Sequence, residues 1–243
     1  MRLEARRADA LRASLSPEIG TSMTTSLPII SFGIVDGHAV FLDERSDSYF
    51  MLQGEDEALF LSLFAAGLPL PAVPRLQDAF AIDGTPARIL HAICPDPKCS
   101  ALEEANGDGA AFAEIVRIAR LVHSTRAWLA KHPIEKVLAV ILTCHGDCEQ
   151  DDGSLEQLIG DAYRFRSARR LVPIKANCLL DSLALLRWLG PAGHRTMLVF
   201  GAKLDPFAAH CWVQADDVLL NDALETVARF RAVRVVQCSR ATH

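Results

Sequence analysis

Near the start of the chain, short apolar runs are bounded by turn residues, a pattern that is typical of β-strands. Three short stretches have this pattern, and we predict strands at residues 29–35, 38–43 and 48–52. Asp36-Gly37 separates the first two stretches and is a typical hairpin turn. The first part of the chain is therefore expected to contain a small sheet.

The pattern then changes to helical spacing. Residues 55–66 begin with a charged turn, continue with apolar residues three and four positions apart, and stop at Gly67, which predicts a helix. Residues 74–82 and 86–93 are predicted to form two more short helices. Three strands followed by three helices make a small module.

The second half of the chain is predicted to be mixed helix and strand. We predict helices at residues 111–132, 155–165 and 178–189, an apolar segment at 137–143, and strands at 195–201, 209–214 and 217–222. Asn106-Gly107-Asp108-Gly109 is the best hinge. We divide the chain into a tail at residues 1–26, which we expect to be disordered, a module at 27–105 and a second domain at 106–243.

The helix predicted at residues 178–189 begins with a cysteine in a position that favours its ionised form. Asn177 is a good N-cap residue, so Cys178 lies in the first turn, where the helix dipole stabilises a thiolate. The helix is apolar on most sides, which indicates that it is buried. His210 and Asp222 follow 32 and 44 residues later. This order fits a thiol nucleophile, its base and an orienting acid, although buried cysteines are often inert core residues.

The partner of His210 depends on the length of one hairpin turn. If residues 215–217 form a three-residue loop, Asp222 lies directly across from His210 on the same face. A two-residue turn would place Asn221 there, and asparagine can also orient an imidazole. We prefer Asp222, and Asn221 remains the alternative.

Composition and charge limit the classes of function. The chain has 243 residues, of which 50% are hydrophobic, enough for one large or two small cores. A net charge of −5 argues against a nucleic-acid partner. No apolar run approaches the ~18 residues that span a bilayer, and residues 1–22 lack the apolar region of a secretory signal. We therefore expect a cytoplasmic protein, with Met23 as a second candidate for its first residue.

Two clusters of polar residues each have a structural and a functional interpretation. Arg164, Arg166, Arg169 and Arg170 are either the solvated face of a helix, which we favour, or a docking patch for an acidic peptide or partner. The seven cysteines have no framework spacing, which suits a reducing compartment. Cys144-His145-Gly146-Asp147-Cys148 contains metal-ligand residue types, but one CxxxC is weak against known zinc patterns, so we predict no metal site.

The motifs of the second domain resemble those of a known family. They are Cys178-Leu179, Ser182-Leu183-Ala184-Leu185 and Leu189, then Leu198-Val199 with Gly201, Pro206-Phe207, His210 with Trp212-Val213, and Asn221-Asp222. In this order they resemble the peptidase domain of lasso-peptide B proteins, the microcin-processing, transglutaminase-like cysteine peptidases. The resemblance implies Cys178 as nucleophile, His210 as general base and Asp222 as orienting acid. Cys211 departs from the family pattern, and its side chain should point away from His210.

The N-terminal module resembles, less specifically, the precursor-recognition domain of ribosomal-peptide pathways, a winged-helix-like fold. The similarity rests on Val40-Phe41-Leu42-Asp43, on Tyr49-Phe50 with Leu52, and on the helix after Gly54. It implies that a leader peptide binds as an added strand along the third strand, beside the third helix. The candidate contacts are Ser48, Tyr49, Phe50, Met51 and Leu52, with residues 86–93, although Phe50 and Leu52 equally suit the module's own core.

Together the resemblances imply an α+β protein, with a small winged-helix-like recognition module followed by a papain/transglutaminase-like cysteine peptidase domain. Its implied function is to remove the leader from a lasso-peptide precursor. The implied partner is an asparagine-synthetase-like cyclase that uses ATP; this chain has no P-loop motif, and we predict no cofactor bound to it. The alternatives are a transglutaminase-like acyltransferase and a non-catalytic precursor-peptide carrier.

Overall fold

The computed structural model describes residues 2–3, 27–68, 74–104, 110–144, 154–190 and 196–237. The predicted hinge at residues 106–109 and most of the predicted tail lie outside these ranges. Arg2 and Leu3, the only part of the tail within them, form a short strand.

The strands and helices of the described residues are numbered in chain order. The strands are β1 (Arg2–Leu3), β2 (Ile29–Val35), β3 (His38–Asp43), β4 (Ser48–Met51), β5 (Ala81–Ile82), β6 (Thr85–Pro86), β7 (Arg88–His91), β8 (Cys99–Ser100), β9 (Thr196–Leu204), β10 (Phe207–Ala215), β11 (Val218–Leu219) and β12 (Arg231–Gln237). The helices are α1 (Glu55–Ala65), α2 (Pro74–Gln77), α3 (Ala101–Glu104), α4 (Phe112–Leu129), α5 (Ile134–Cys144), α6 (Leu155–Arg169), α7 (Cys178–Leu189) and α8 (Leu224–Val227). None of these helices is long and apolar enough to cross a membrane.

The first sheet contains the three strands predicted near the start of the chain. Its order is β1-β4-β3-β2-β7, with β7 parallel to β2 and the other neighbours antiparallel. β2 and β3 form the predicted hairpin, and both turn residues, Asp36 and Gly37, have positive φ angles. The predicted helix after the sheet is also confirmed, as α1.

The two short helices predicted after α1 are largely wrong. Residues 86–93 contain the strand β7 instead of a helix. This apolar run is short and is bounded by prolines, and periodicity cannot separate a strand from a helix over such a length. Residues 74–82 contain one turn of helix, α2, then a 3-10 turn and β5. The described residues therefore do not confirm a winged-helix-like module.

The second sheet has the order β12-β9-β10-β11-β8. β9 and β10 form a long hairpin that pairs from Leu204 and Phe207 at its turn to Thr196 and Ala215 at its open end. β12, which the sequence analysis did not predict, pairs antiparallel with β9. β8 pairs parallel with β11, so the chain enters the second sheet soon after it leaves the first.

α7 is the central helix of the second domain. It packs against α4, α6 and β10. Leu183, Ala184, Leu185 and Leu186 each have 0% of their surface exposed. The prediction of a helix buried on most sides is confirmed.

The first sheet is covered on both faces. The side chains on one face pack with α1 into a core of the N-terminal module, whose largest members are Ile30, Phe32, Phe41 and Phe60. The side chains on the opposite face are Val35, Val40, Leu42, Tyr49 and Met51, and they belong to the same core as the second domain. The first sheet and the later helices and strands are therefore packed together through a shared core.

Two contacts fix this packing. Gly33 of β2 lies so close to β12 that a Cβ at this position would be 1.8 Å from the carbonyl oxygen of Ala232. Only glycine permits this approach of two backbones. Glu44, just after β3, and Arg234 of β12 form an ion pair of 2.5 Å between side chains that are 4% and 12% exposed.

Candidate active site

The first turn of α7 holds Cys178 at the helix N-terminus, as predicted. The Asn177 side chain is the N-cap and accepts a hydrogen bond from the N–H of Leu180 at 3.0 Å. In return, the carboxylate of Asp181 accepts a hydrogen bond from the N–H of Asn177 at 3.3 Å. The N–H of Leu179 binds the thiol of Cys178. The N–H of Cys178 itself has no helical partner, because it lies in the first turn.

Arg169, at the end of α6, holds the loop that leads into α7. Its guanidinium donates to the carboxylate of Asp181 at 2.7 Å, and to the carbonyl oxygens of Val172 and Ile174 at 3.3 and 3.0 Å. The Arg169 side chain is only 11% exposed, so these charged hydrogen bonds are largely shielded from water. The loop and the first turn of α7 are thereby joined into one unit.

The edge of β10 lies against the same end of α7. β11 pairs with β10 only at the last two residues of β10, so among the described residues the earlier part of β10 has no strand neighbour on that side. Ser182 is one helical turn after Cys178 and donates to the carbonyl oxygen of Cys211 at 3.3 Å. The N–H of Cys211 binds the thiol of Cys178. The helix therefore docks beside His210, the residue that precedes Cys211.

His210 and Asp222 form a close pair next to the thiol. Nε2 of His210 is 2.5 Å from Oδ2 of Asp222, and the imidazole also hydrogen-bonds with Cys178. Asp222 is held in place by two further contacts. Its Oδ1 accepts from the N–H of Ala223 at 2.8 Å, and its carbonyl oxygen accepts from the hydroxyl of Ser100 at 2.6 Å. The structure thus brings together the three residues that the sequence singled out.

The electrostatics of the site favour an ionised pair. Burial alone would raise the pKa of Cys178, but the hydrogen bond and charge of His210, with the N–H groups of Cys211 and Leu179, bring this pKa below its ordinary value. Burial alone would likewise lower the pKa of His210, but hydrogen bonds and charge from Asp222 and Cys178 raise it to about 9. Both shifts favour the thiolate and imidazolium forms of the pair.

Aromatic rings cover His210. Its ring lies 5.1 Å from that of Phe230 and 6.2 Å from that of Trp212. The indole N–H of Trp212 donates to Gln214 at 3.1 Å, which fixes the ring. A Cβ on Gly201 would be 2.6 Å from the Trp212 ring, so glycine is needed beneath it. Because these rings exclude water, they strengthen the hydrogen bond between His210 and Asp222.

A comparison with known proteins assigns the class of the second domain. A family model described as the transglutaminase-like superfamily matches residues 125–235. Residues 125–235 form a transglutaminase-like domain. The match begins within α4, ends within β12 and includes Cys178, His210 and Asp222. Searches of curated proteins and of solved structures found no match to the chain.

The turn before Asp222 in the transglutaminase-like domain differs from the prediction. β10 and β11 are joined by a two-residue turn at Asp216 and Asp217, so the predicted three-residue loop is wrong. The pairing of β10 with β11 then ends at Leu219. Asp222 reaches His210 because the chain leaves the strand after Leu219, and not because the two residues face each other across a hairpin.

Asn221, the alternative partner of His210, has a different contact set. Its side-chain oxygen accepts from the N–H of Val213 at 2.8 Å, and its amide donates to the hydroxyl of Ser182 at 2.8 Å. Asn221 therefore links the edge of β10 to α7. The hydrogen-bond partner of the imidazole is Asp222.

The residues predicted to bind a leader peptide, Ser48, Tyr49, Phe50, Met51 and Leu52, have side chains that are buried or half-buried. Tyr49 and Met51 face the transglutaminase-like domain, whereas Phe50 and Leu52 face the core of the N-terminal module. The outer edge of β4 presents main chain, and β1 pairs there in the antiparallel direction. The other predicted contact, residues 86–93, lies at the opposite edge of the sheet, in β7.

The arginine cluster is only partly a solvated face. Arg164 pairs with Asp161, and Arg169 holds the loop that leads into α7. Arg166 lies within the electrostatic influence of Asp222. Arg169 is thus largely buried inside the domain, and the exposed Arg164 is paired with Asp161, which argues against a docking patch built from all four arginines.

Within the described residues, no group of histidine, cysteine and acidic side chains could hold a metal ion. The motif from Cys144 to Cys148 lies outside them, apart from the main chain of Cys144. Cys94 lies 3.8 Å from the side-chain oxygen of Gln214. Cys211 is 3% exposed, and burial strongly raises the pKa of its thiol, so Cys211 stays protonated.

Proposed function

We propose that this protein is a cysteine endopeptidase that removes the leader from a lasso-peptide precursor. The observation that carries the proposal is the assembled set of Cys178, His210 and Asp222, in which the pKa of the thiol is lowered and that of the imidazole is raised, in a transglutaminase-like domain. Such a set supplies the nucleophile, proton donor and orienting carboxylate that thiol acyl chemistry needs. The motifs around these residues, which resemble those of lasso-peptide B proteins, support the choice of substrate.

In this mechanism the thiolate of Cys178 attacks the carbonyl carbon of the scissile peptide bond. The imidazolium of His210 then donates its proton to the departing amine, and the Asp222 carboxylate stabilises the charged imidazole until that step. Water, deprotonated by the now neutral imidazole, attacks the thioester and releases the leader as an acid. The N–H of Cys178 at the start of α7 supports the oxyanion that forms in both steps.

The leader would bind as a strand along the outer edge of β4. The pairing of β1 with β4 supports this, because it is an antiparallel strand on that edge. The side chains of β4 are used in the two cores, so main-chain hydrogen bonds would provide most of the affinity. β4 also packs against the transglutaminase-like domain, with 5.8 Å between the ring centroids of Tyr49 and Phe207. A bound leader would therefore raise the effective concentration of the scissile bond near Cys178.

The proposal also includes a partner enzyme and a cellular compartment. An asparagine-synthetase-like cyclase would use ATP to close the macrolactam on the amine that the cleavage frees. ATP would belong to this cyclase, and the present chain would need no cofactor for the cleavage itself. We propose that both steps take place in the cytoplasm.

The decisive experiment follows the mass of the precursor encoded beside this gene when it is incubated with the purified protein, with and without the cyclase and ATP. We expect loss of the leader, and no loss with Cys178→Ala, which should still bind the leader with unchanged affinity. Cleavage by Cys178→Ala would refute the assignment. Transfer of the acyl group to an added amine in place of water would favour the acyltransferase, and binding without cleavage would favour the carrier.

A second experiment tests the recognition edge. A chain that starts at Met23 lacks β1, so the edge of β4 is open and the leader no longer competes with the chain's own strand. We expect this variant to bind the leader more tightly than the full chain in a titration, with the alkylation rate of Cys178 unchanged. Equal affinities of the shortened and the full chain for the leader would show that the leader does not bind along the edge of β4.

A further inference from the structure

The main-chain groups of β10 point alternately toward β9 and away from it, as in any antiparallel pair. The contacts of two odd-numbered residues show which groups point away. Val213 donates its N–H to the side chain of Asn221 at 2.8 Å and accepts from the N–H of Leu220 at 2.9 Å. The carbonyl oxygen of Cys211 accepts from the hydroxyl of Ser182 at 3.3 Å. The N–H and carbonyl groups of the odd-numbered residues are therefore directed to the edge opposite β9.

This alternation continues to the start of β10. β9 and β10 pair residue for residue from Phe207 to Ala215, without a shift in register. Ala209 is an odd-numbered residue two positions before Cys211, so its N–H and its carbonyl oxygen also point away from β9. Among the described residues, neither group has a hydrogen-bond partner on that edge. Ala209 is exposed, and the edge of β10 is therefore open at this residue.

The open edge leads directly to the nucleophile. Ser182, which binds the carbonyl oxygen of Cys211, lies one helical turn after Cys178. His210, the residue between Ala209 and Cys211, provides the imidazole that pairs with Asp222. Two successive odd-numbered residues of a strand are about 7 Å apart. A peptide whose scissile carbonyl lies at the thiol therefore has its neighbouring residues within reach of Ala209.

The open edge also lacks the usual protection. Proteins commonly blunt such an edge with charged side chains or cover it with another element. Residues 207–210 contain no lysine, arginine or acidic residue, and the side chain of Ala209 is a single methyl group that leaves room for a neighbouring strand. An unprotected edge that ends at a nucleophile fits a substrate that arrives as a strand.

We propose that the substrate segment next to the scissile bond binds as an extended strand along the open edge of β10, with its main chain hydrogen-bonded to the N–H and the carbonyl oxygen of Ala209. The ligand class is then an extended peptide, which is recognised at this point by its main chain, and a helical segment does not fit. β10 thus adds a second recognition strand to the one proposed on β4. The inference rests on the proposed function only in taking Cys178 as a nucleophile that acts on peptides.

The first test changes the ligand. Cys178 is labelled with N-acetyl-trialanyl chloromethyl ketone, whose chloride the thiolate displaces, and with three analogues that each carry one N-methyl group, on the first, second or third alanine. Successive N–H groups of a strand point to opposite sides, so only alternate ones can face Ala209. We expect methylation to slow labelling roughly 2- to 10-fold at alternate alanines and to have little effect at the others. Rates are read from the mass of the peptide that contains Cys178.

The second test changes the protein. Ala209→Pro removes the N–H that points outward, and proline is tolerated where the N–H does not pair with a neighbouring strand. We expect this variant to react more slowly with the peptidyl ketone, again by roughly 2- to 10-fold, and at the wild-type rate with iodoacetamide, which is too small to form a strand. The matched control is Ala208→Pro, which removes an N–H that points toward β9 and should lower the Tm much more than Ala209→Pro does.

Four results would overturn the inference. They are an equal effect of the N-methyl group at all three alanines, equal slowing of the peptidyl ketone and iodoacetamide in Ala209→Pro, equal losses of Tm in the two proline variants, and a wild-type protein that the peptidyl ketone does not label at Cys178. The proposed function is judged separately. Alternating labelling with an intact precursor would refute the leader peptidase and retain the β10 strand site, whereas cleavage of the precursor without alternation would do the reverse.

Discussion

Replacing Asp222 by asparagine measures how far the reactivity of the thiol depends on one carboxylate. Asparagine can still accept a hydrogen bond from Nε2 of His210, which lies 2.5 Å from Oδ2 of Asp222, so the variant removes mainly the negative charge. A hydrogen bond between charged groups contributes about 1.5–3 kcal/mol, and each 1.4 kcal/mol is a factor of about ten. We therefore expect cleavage and alkylation near neutral pH to slow by roughly 10- to 100-fold.

The dependence of the alkylation rate on pH should show how the loss of the Asp222 charge acts. In the wild-type protein the pKa of His210 is raised to about 9, so the imidazolium is present throughout the neutral range. Without the charge of Asp222 this pKa falls toward its ordinary value of 6.5, and above about pH 7 the thiolate has lost its cation. The pKa of Cys178 then rises toward its ordinary value of 9.0. Alkylation should thus fall at pH 7 and recover at high pH.

The assay is the rate of iodoacetamide addition to the Cys178 peptide between about pH 5 and pH 10, a range that includes the ordinary pKa values of histidine and cysteine. The matched control is Asn221→Ala, which removes two hydrogen bonds from the neighbouring residue and keeps the carboxylate. We expect the control to shift the profile much less than Asp222→Asn. A wild-type profile for Asp222→Asn, or a larger shift for Asn221→Ala, would refute the reasoning.

Three further variants test the packing that supports the site. Glu44→Ala leaves the buried charge of Arg234 unpaired and should lower the free energy of unfolding by about 3–5 kcal/mol. Changing both residues to methionine should restore most of this stability. An equal loss of unfolding free energy in the single and the double variant, measured by urea titration, would contradict the expectation. Gly33→Ala puts a Cβ 1.8 Å from the carbonyl of Ala232 and should cost about 1–3 kcal/mol, and an unchanged Tm would disprove the close approach. Arg169→Lys replaces the planar guanidinium that binds Asp181 and two carbonyl oxygens, and it should lower kcat with little change in KM. A wild-type kcat for this variant would show that the hydrogen bonds of Arg169 are not needed to position α7.

The start of α7 could be predicted because its signals are local. Asn177 as the N-cap, the apolar faces of the helix and Gly190 at its end lie within 14 consecutive residues, and each acts through neighbours in the chain. The placement of Cys178 in the first turn follows from these residues alone. The same reasoning gave β2, β3, β4 and α1, whose patterns are strong and whose turns are short.

The position of Asp222 shows where sequence reasoning fails. The preference for Asp222 assumes a three-residue loop, but the observed turn is one residue shorter, and the chain leaves β10 after only two pairs. What places the carboxylate is Ser100, which is 122 residues away and donates to the carbonyl of Asp222. The periodicity and spacing of residues in the sequence do not predict a contact between two residues that are so far apart in the chain. Asp222 does pair with His210, but the register from which the sequence analysis expects this pair does not occur.

β7 and β12 were missed for a related reason. Arg88–His91 is too short to separate a strand from a helix, and pairing with β2 decides its conformation. β12 has an irregular pairing between Ala232 and Arg234, which breaks the alternation that would have revealed it. Both strands are defined by partners far away in the chain.

The burial of the first sheet on both faces restricts how the protein can be taken apart. A fragment ending near the predicted hinge would expose Val40, Leu42, Tyr49 and Met51 as a contiguous apolar surface and would be prone to aggregate. Exchanging the module between relatives would require the donor to match this surface and to carry a glycine at the position of Gly33. The N-terminal module and the transglutaminase-like domain would then evolve as one unit, because a change on one side of the shared core would require a compensating change on the other.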